Sequence, residues 1–221
     1  MKALICGRGK SLGYYKNLKE QKFDYIYLIN NFSVFIRQDP ELLSFLQEKA
    51  RHAKLIQQVN KCVVGMDNHM LQNLPISECY VARCAYVPNS TDWIDDYVDL
   101  EAFVKRGVNV KLKVQPPSLR NYHLKFGGNG SLGVGLAHAI VENKCSDITI
   151  LGFDIYETFY YLDDTGKGES STWTNENTKP IQDRLKNGMT DLCKEFSDVQ
   201  FTFYTYSSYN SGLHNCNFIK L

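Results

Sequence analysis

The sequence predicts an α/β chain of three layers, with helices on both faces of a mostly parallel sheet. Three observations predict it. Short apolar runs recur along the whole length, KALIC at 2–6 first and ITIL at 148–151 the strongest. Segments with apolar residues at helical spacing lie between them. The first run leads into the glycine-rich turn Gly7-Arg8-Gly9, followed by Gly13, where a doubly wound sheet passes from strand to helix.

Taken in order, Lys2–Cys6 opens the sheet, Tyr25–Ile29 follows, and 62–66 is the expected third strand. Residues 40–53 carry Leu42, Phe45, Leu46 and Ala50 at helical spacing, with Asp39 as N-cap ahead of Pro40. A strand at 80–87, a helix at 95–105 ended by Gly107, and a strand at 109–114 stopped by Pro116-Pro117 come next. Ser131 then precedes a helix reaching about residue 143, whose small residues Gly133, Gly135 and Ala137 permit close backbone packing. The strand at 148–151 is followed by a polar stretch, 165–179. Ile181, Leu185, Met189 and Leu192 mark a final amphipathic helix, and 199–204 is the closing strand. One domain over 1–221 is expected, with 162–180 as a mobile lid or loop.

Composition limits the functional classes. Apolar and charged fractions of 43% and 22% suit a globular chain, and a net charge of +1 gives no broad attraction for nucleic acid or anionic lipid. The longest charge-free run near an apolar stretch, 126–141, is too short to span a bilayer, and the start MKALIC reads as a strand rather than a signal peptide. Seven cysteines without CxxC or Cys/His spacing suggest reduced core thiols in a cytoplasmic protein and no structural zinc.

Each candidate site motif has a structural reading beside its functional one. The Gly7-Arg8-Gly9 turn suits a phosphate at a helix N-terminus, or is a plain turn; its spacing is GxGxxxG, and the Gly-Lys-Ser triplet lacks the first glycine of a Walker A loop. Asn30-Asn31 stand where a dinucleotide-binding chain presents a carboxylate, which disfavours NAD; paired amides suit a pyrimidine edge, a sugar or a phosphate, or form an Asx turn. Asn68 and His69 follow the third expected strand, with His69 either a base or a surface group. Asn129 and Ser131 form an anion-receiving turn, a helix cap, or both. With no Asp-x-Asp triplet, no metal is predicted, so hydroxyl donors would have to stabilise a departing phosphate.

The stretches ALICGRGKSL with INNF, and GNGSLGVGLAHAIVENKCSDITILGFDIY, resemble the bacterial sialyltransferases that build lipooligosaccharide termini. The second is also similar to the S motif of eukaryotic sialyltransferases. The resemblance implies a Rossmann-like, GT-A-like domain that binds CMP-sialic acid at the carboxyl edge of the sheet, and attack by a glycan hydroxyl with inversion and without metal or other cofactor. It implies that the Gly7–Gly9 turn and Asn30 contact the nucleotide phosphate and sugar, and that Ser131 contacts the donor. Tyr156 falls where the family has a phosphate-binding tyrosine after the Asp154 position, with Tyr160 or Tyr161 as the second. Two positions depart from the family. Arg8 stands where it has Asn, which adds a cation, and residues 162–195 contain no His where it has its general base. His69 and His214 both follow expected strands and are candidate substitutes; Asp163 and Asp164 are nearer in sequence.

The expected activity is therefore sialyltransferase-like transfer from a CMP-activated sugar to a glycan. The alternatives are a non-catalytic nucleotide-sugar binder and a phosphoryl-transfer enzyme on the same fold.

Overall fold

Apolar runs with no polar interruption need cover on both faces, and the sheet provides it. The computed structural model describes residues 1–29, 32–49, 53–58, 76–82, 111–114, 130–163 and 175–221. Its strands are β1 (Lys2–Cys6), β2 (Tyr25–Ile29), β3 (Ala53–Gln58), β4 (Ile76–Ala82), β5 (Lys111–Val114), β6 (Asp147–Leu151), β7 (Gln200–Thr205) and β8 (Cys216–Lys220). They form one sheet in the order β5-β4-β3-β2-β1-β6-β7-β8, with every neighbouring pair parallel.

Side chains of β1 alternate between two cores. Leu4 and Cys6 join Ile26, Leu28 and Leu151 beneath a 3-10 helix (Lys10–Leu18), α1 (Ser33–Gln38) and α2 (Pro40–Lys49). Ala3 and Ile5 join Tyr27, Ile148, Ile150, Phe201 and Phe203 beneath α3 (Gly130–Val141) and α4 (Asn175–Glu195). The result is a Rossmann-like α/β/α domain of three layers. Among the described residues, no helix is long and apolar enough to cross a membrane.

Five expectations are revised. The third strand is Ala53–Gln58, where helical spacing had been extended to residue 53; α2 stops at Lys49, and 62–66 lies outside the described residues. The β4 strand starts at Ile76, four residues before the expected position, while the 95–105 helix is again outside the described residues. Helix α3 begins at Gly130, which puts Ser131 inside its first turn rather than before it. Helix α4 begins at Asn175 and runs through Pro180, so 175–180 of the expected lid is helical. Pro180, the sixth residue of that helix, has no N–H to donate to the Glu176 carbonyl, so the helix carries it one intrahelical bond short. The expected last strand, β7, is followed by a further one, β8.

The chain builds outward from β1 to β5, then returns to lay β6 against the other edge of β1. That reversal is the topological switch point, and in such sheets ligands bind where strands flanking it end. Cys6 pairs with Leu151, so both strands finish level and Gly7 and Gly152 emerge side by side.

Candidate functional site

Two turns meet at the switch point in very close contact. Gly7 N–H donates to the Leu151 carbonyl at 2.8 Å, and Gly9 N–H to the Gly152 carbonyl at 2.9 Å. A Cβ on Gly7 would sit 2.5 Å from the Gly152 oxygen, closer than non-bonded atoms approach. A Cβ on Gly9 would sit 2.5 Å from Asp154 Oδ2. The two glycines are thus required by the exit of β6, independently of any ligand.

Asp154 ties three strand exits together. Its Oδ2 accepts from Ser11 N–H at 2.7 Å at the start of the 3-10 helix; its Oδ1 accepts from Thr205 Oγ1 at 3.0 Å and Tyr206 N–H at 2.9 Å beyond β7. It is 2% exposed. At the helix start beyond the Gly7–Gly9 turn, where a phosphate or a plain turn was expected, the Ser11 amide is therefore occupied by a carboxylate of the chain itself. Ser11 Oγ in turn accepts from Gly152 N–H at 2.9 Å.

Beyond Asp154 the backbone enters an unusual conformation. Ile155 and Tyr156 have φ of 52° and 55°, consecutive left-handed residues of which one is β-branched. Each costs about 1–2 kcal/mol, so neighbours must hold them. Gln182 Nε2 of α4 donates to the Tyr156 carbonyl at 3.1 Å, and Lys186 Nζ pairs with Glu157 Oε1 at 2.7 Å. Ser208, beyond β7, donates to Glu157 through both its N–H and its hydroxyl. Burial alone would raise the Glu157 carboxyl, but Lys186 and the Ser208 and Ser207 donors outweigh it and lower its pKa to about 2.

The segment then folds back over the first turn. Gly9 and Tyr160 form an antiparallel bridge, and Tyr161 N–H donates to the Arg8 carbonyl at 2.8 Å. Arg8 Nη2 donates to the Tyr160 hydroxyl oxygen at 2.8 Å, with its guanidinium carbon 4.3 Å from the ring centroid. The Tyr156 ring lies 6.4 Å from that of Tyr160. Arg8, Tyr156 and Tyr160, each partly exposed, therefore share the carboxyl edge at the switch point.

Tyr161 is directed elsewhere. Its hydroxyl and that of Tyr15 donate to Asp39 Oδ2, while Asp39 Oδ1 accepts from Glu41 N–H at 3.0 Å and Leu42 N–H at 3.1 Å. Asp39 thus caps α2, as the sequence predicts, and also holds Tyr161. Burial pushes the Asp39 carboxyl up, and these four donors more than reverse it, so its pKa lies below the ordinary value. Burial and the carboxylate both raise the Tyr161 hydroxyl, which stays a neutral donor.

Of the other candidates, Ser131 is buried in the first turn of α3. His214 is exposed, but β8 runs parallel to β7, so the chain has already returned to the amino edge: the next residue, Asn215, accepts from Phe201 N–H at 2.8 Å near the start of β7. His214 is therefore not brought to the tyrosines. Asn30, Asn31, Asn68, His69, Asn129 and Asp164 lie outside the described residues.

Sequence reasoning passed over Glu157, Gln182 and Asp39 as site supports. A carboxylate within the aromatic run YETFYY was the available signal for Glu157. It also passed over His138, buried in the otherwise apolar α3, whose Nδ1 meets the Tyr27 hydroxyl at 2.8 Å with Asn143 beside both. That cluster lies between β2 and α3, away from the carboxyl edge. A groove of about 480 Å³ starts at Lys2 and Asp147, at the amino ends of β1 and β6, and runs along Thr149, Thr202 and Tyr204. It too is separate from the switch point.

No family model matches the chain, and no curated protein matches it. A solved structure of D-2-hydroxyisocaproate dehydrogenase aligns with the whole chain at 11% identity and a TM-score of 0.22; the chain spans 58% of that protein's length.

Proposed function

We propose that the carboxyl edge binds a CMP-activated sialic acid, or a related nonulosonic acid, and transfers the sugar to a glycan hydroxyl without metal. The observation that supports this reading is the Arg8–Tyr160 pair beside Tyr156 at the switch point. As the bond between the anomeric carbon and the phosphate oxygen breaks, the CMP phosphate gains negative charge. A guanidinium and two phenol donors meet that charge with groups already oriented by the fold. Arg8 uses the acceptor side of the Tyr160 hydroxyl, which suits that hydroxyl to donating toward an oxyanion. Tyr156 is the phosphate donor of the pair with Tyr160, because Tyr161 serves Asp39 instead.

A second reading has its own support: among the described residues no histidine stands at this edge to accept the acceptor proton, since His138 is buried under the sheet and His214 lies at the amino edge. On that reading the chain holds a nucleotide sugar and does not transfer it.

One assay separates the two. The purified chain is given CMP-sialic acid, and CMP release is followed with and without glycan acceptors. Release that falls about 100-fold in kcat in Tyr156→Phe, with KM little changed, is the result expected of a transition-state donor. A thermal shift with CMP but no CMP release assigns the chain to binding alone. No shift with any cytidine nucleotide overturns both.

A further inference from the structure

The face of the sheet that lies under the 3-10 helix changes character at β1. On β1 and β2 it presents Leu4, Cys6, Ile26 and Leu28 to the core. Beyond β1 it turns polar. Ile148 and Ile150 of β6, with Phe201 and Phe203 of β7, pack under α3 and α4, so strand alternation puts Thr149, Thr202 and Tyr204 on the opposite side. Thr149 and Thr202 are register partners, which sets their side chains next to each other on the floor of the groove of about 480 Å³. Glu20, Gln21 and Lys22, where the chain leaves the 3-10 helix, form its wall. Tyr14 of that helix stacks on Tyr204 with ring centroids 4.4 Å apart.

Thr149 is 6% exposed and lines this groove, yet among the described residues its hydroxyl has no hydrogen-bond partner. A buried hydroxyl left unpaired is costly, and native proteins give such groups a partner. The groove lets a bound molecule supply one. Its volume is that of a small-molecule site, for which about 300–1,000 Å³ is usual. Its charges cancel: Lys2 Nζ pairs with Asp147 Oδ2 at 2.9 Å, and the wall carries one acid, Glu20, and one base, Lys22. A phosphate or a polycarboxylate would meet Asp147 and Glu20, and a cation would meet Lys2 and Lys22. The neutral groups are three hydroxyls and the Gln21 amide, all able to donate and accept, beside the apolar ring of Tyr204. Their complement is an uncharged molecule with many hydroxyls on a carbon skeleton.

We propose that this groove binds a neutral saccharide, with Thr149 and Thr202 hydrogen-bonded to its ring hydroxyls and Tyr204 against its C–H bonds. The groove starts at the amino ends of β1 and β6, away from the switch point, so the sugar is held here and not transformed. The site is independent of whether the carboxyl edge transfers a sugar.

The full chain, labelled with carbon-13 at its threonine methyls, is titrated with lactose, maltotriose and chitotriose and followed by NMR. Inorganic phosphate and glycine serve as the anionic and zwitterionic comparisons. Thr149→Val and Thr202→Val identify the two signals by their loss. At least one of the three saccharides should shift both methyls saturably, leaving Thr205, which Asp154 holds at the carboxyl edge, unmoved. Thr149→Val should weaken the binding read at Thr202 about 3–10-fold. Without sugar, its urea midpoint should equal or exceed that of wild type, because the lost hydroxyl has no partner in the protein. No saturable shift at either methyl with any of the three saccharides overturns the proposal. So do shifts confined to Thr205, which put the sugar at the carboxyl edge, and shifts at Thr149 with phosphate or glycine alone. A Thr149→Val midpoint clearly below wild type also overturns it, since the hydroxyl is then already satisfied within the fold.

Discussion

Replacing Asp154 with alanine tests whether one carboxylate joins the strand exits. The variant removes the acceptor for Ser11 N–H, Tyr206 N–H and Thr205 Oγ1. Thr205 keeps a partner, because its hydroxyl also reaches the Phe153 carbonyl at 3.0 Å. Two backbone amides are left, one fully buried at Ser11 and one part-buried at Tyr206, whose side chain is exposed. An unsatisfied donor costs about 1–3 kcal/mol by burial, so the expected loss is about 3–4 kcal/mol. Against a typical total of about 5–15 kcal/mol that is a large fraction. It corresponds to a Tm lower by about 6–16 °C for a chain of this size. Urea titration followed by circular dichroism should show a lower midpoint at unchanged slope. Asp154→Asn keeps one acceptor oxygen and should lose about half as much, since its amide must then face one of the same donors. A loss below about 1 kcal/mol in Asp154→Ala would refute the reasoning, because it would mean that the donors find other partners.

Two further outcomes follow from the same region. Gly152→Ala combines a φ of +72° with a Cβ 2.4 Å from the Gly7 carbonyl, so it should lose more than about 2 kcal/mol in the same titration; a value within about 0.5 kcal/mol of wild type would disprove the close approach of the turns. Glu157→Gln should destabilise at neutral pH and converge with wild type in acid. Its folded pKa, about 2, is depressed from the ordinary value of 4.5, so its contribution is complete above about pH 4.5 and disappears as pH falls toward 2. After discounting for solvent around the partly exposed pair with Lys186, that contribution is about 1–2 kcal/mol. Urea midpoints of both proteins between pH 7 and pH 2 check it, and a constant gap across the range counts against the assignment.

The architecture was legible where one chemical signal dominated. Lys2–Cys6, Tyr25–Ile29 and the strand before Gly152 are uninterrupted apolar runs, and buried parallel strands have few other ways to read. Ala53–Gln58 was lost because AKLIQQ follows a true amphipathic helix without Gly or Pro between them, and local spacing cannot see the parallel partner that draws it into the sheet. The strand β8 was lost for a different reason: CNFIK is an edge strand with no fully buried residue, so its pattern is diluted. At the site, the sequence located the glycine turn and the tyrosines but not their partners. Gly7 and Gly9 answer to Gly152 and Asp154, more than 140 residues away, and Tyr161 answers to Asp39 across 122 positions. No motif of contiguous residues carries that information. His214 was placed by the assumption that a residue after a strand stays at that strand's end, which the parallel return into β8 breaks.

The pairing of β1 with β6 also sets a timetable for synthesis. Lys2 meets Asp147, which lies 145 positions further along the chain. At about 5–20 residues per second, a ribosome takes about 7–30 s to supply β6 after β1. During that interval β1 can pair with β2 but presents its other flank, an open ladder of backbone donors and acceptors, to whatever strand arrives first. The turn carrying Gly7 and Gly9 cannot close in that time either, because the groups it packs against have not yet been made. The central strand of the finished sheet is therefore an unprotected edge of the nascent chain, and β6 is the segment whose delay most exposes it to mispairing.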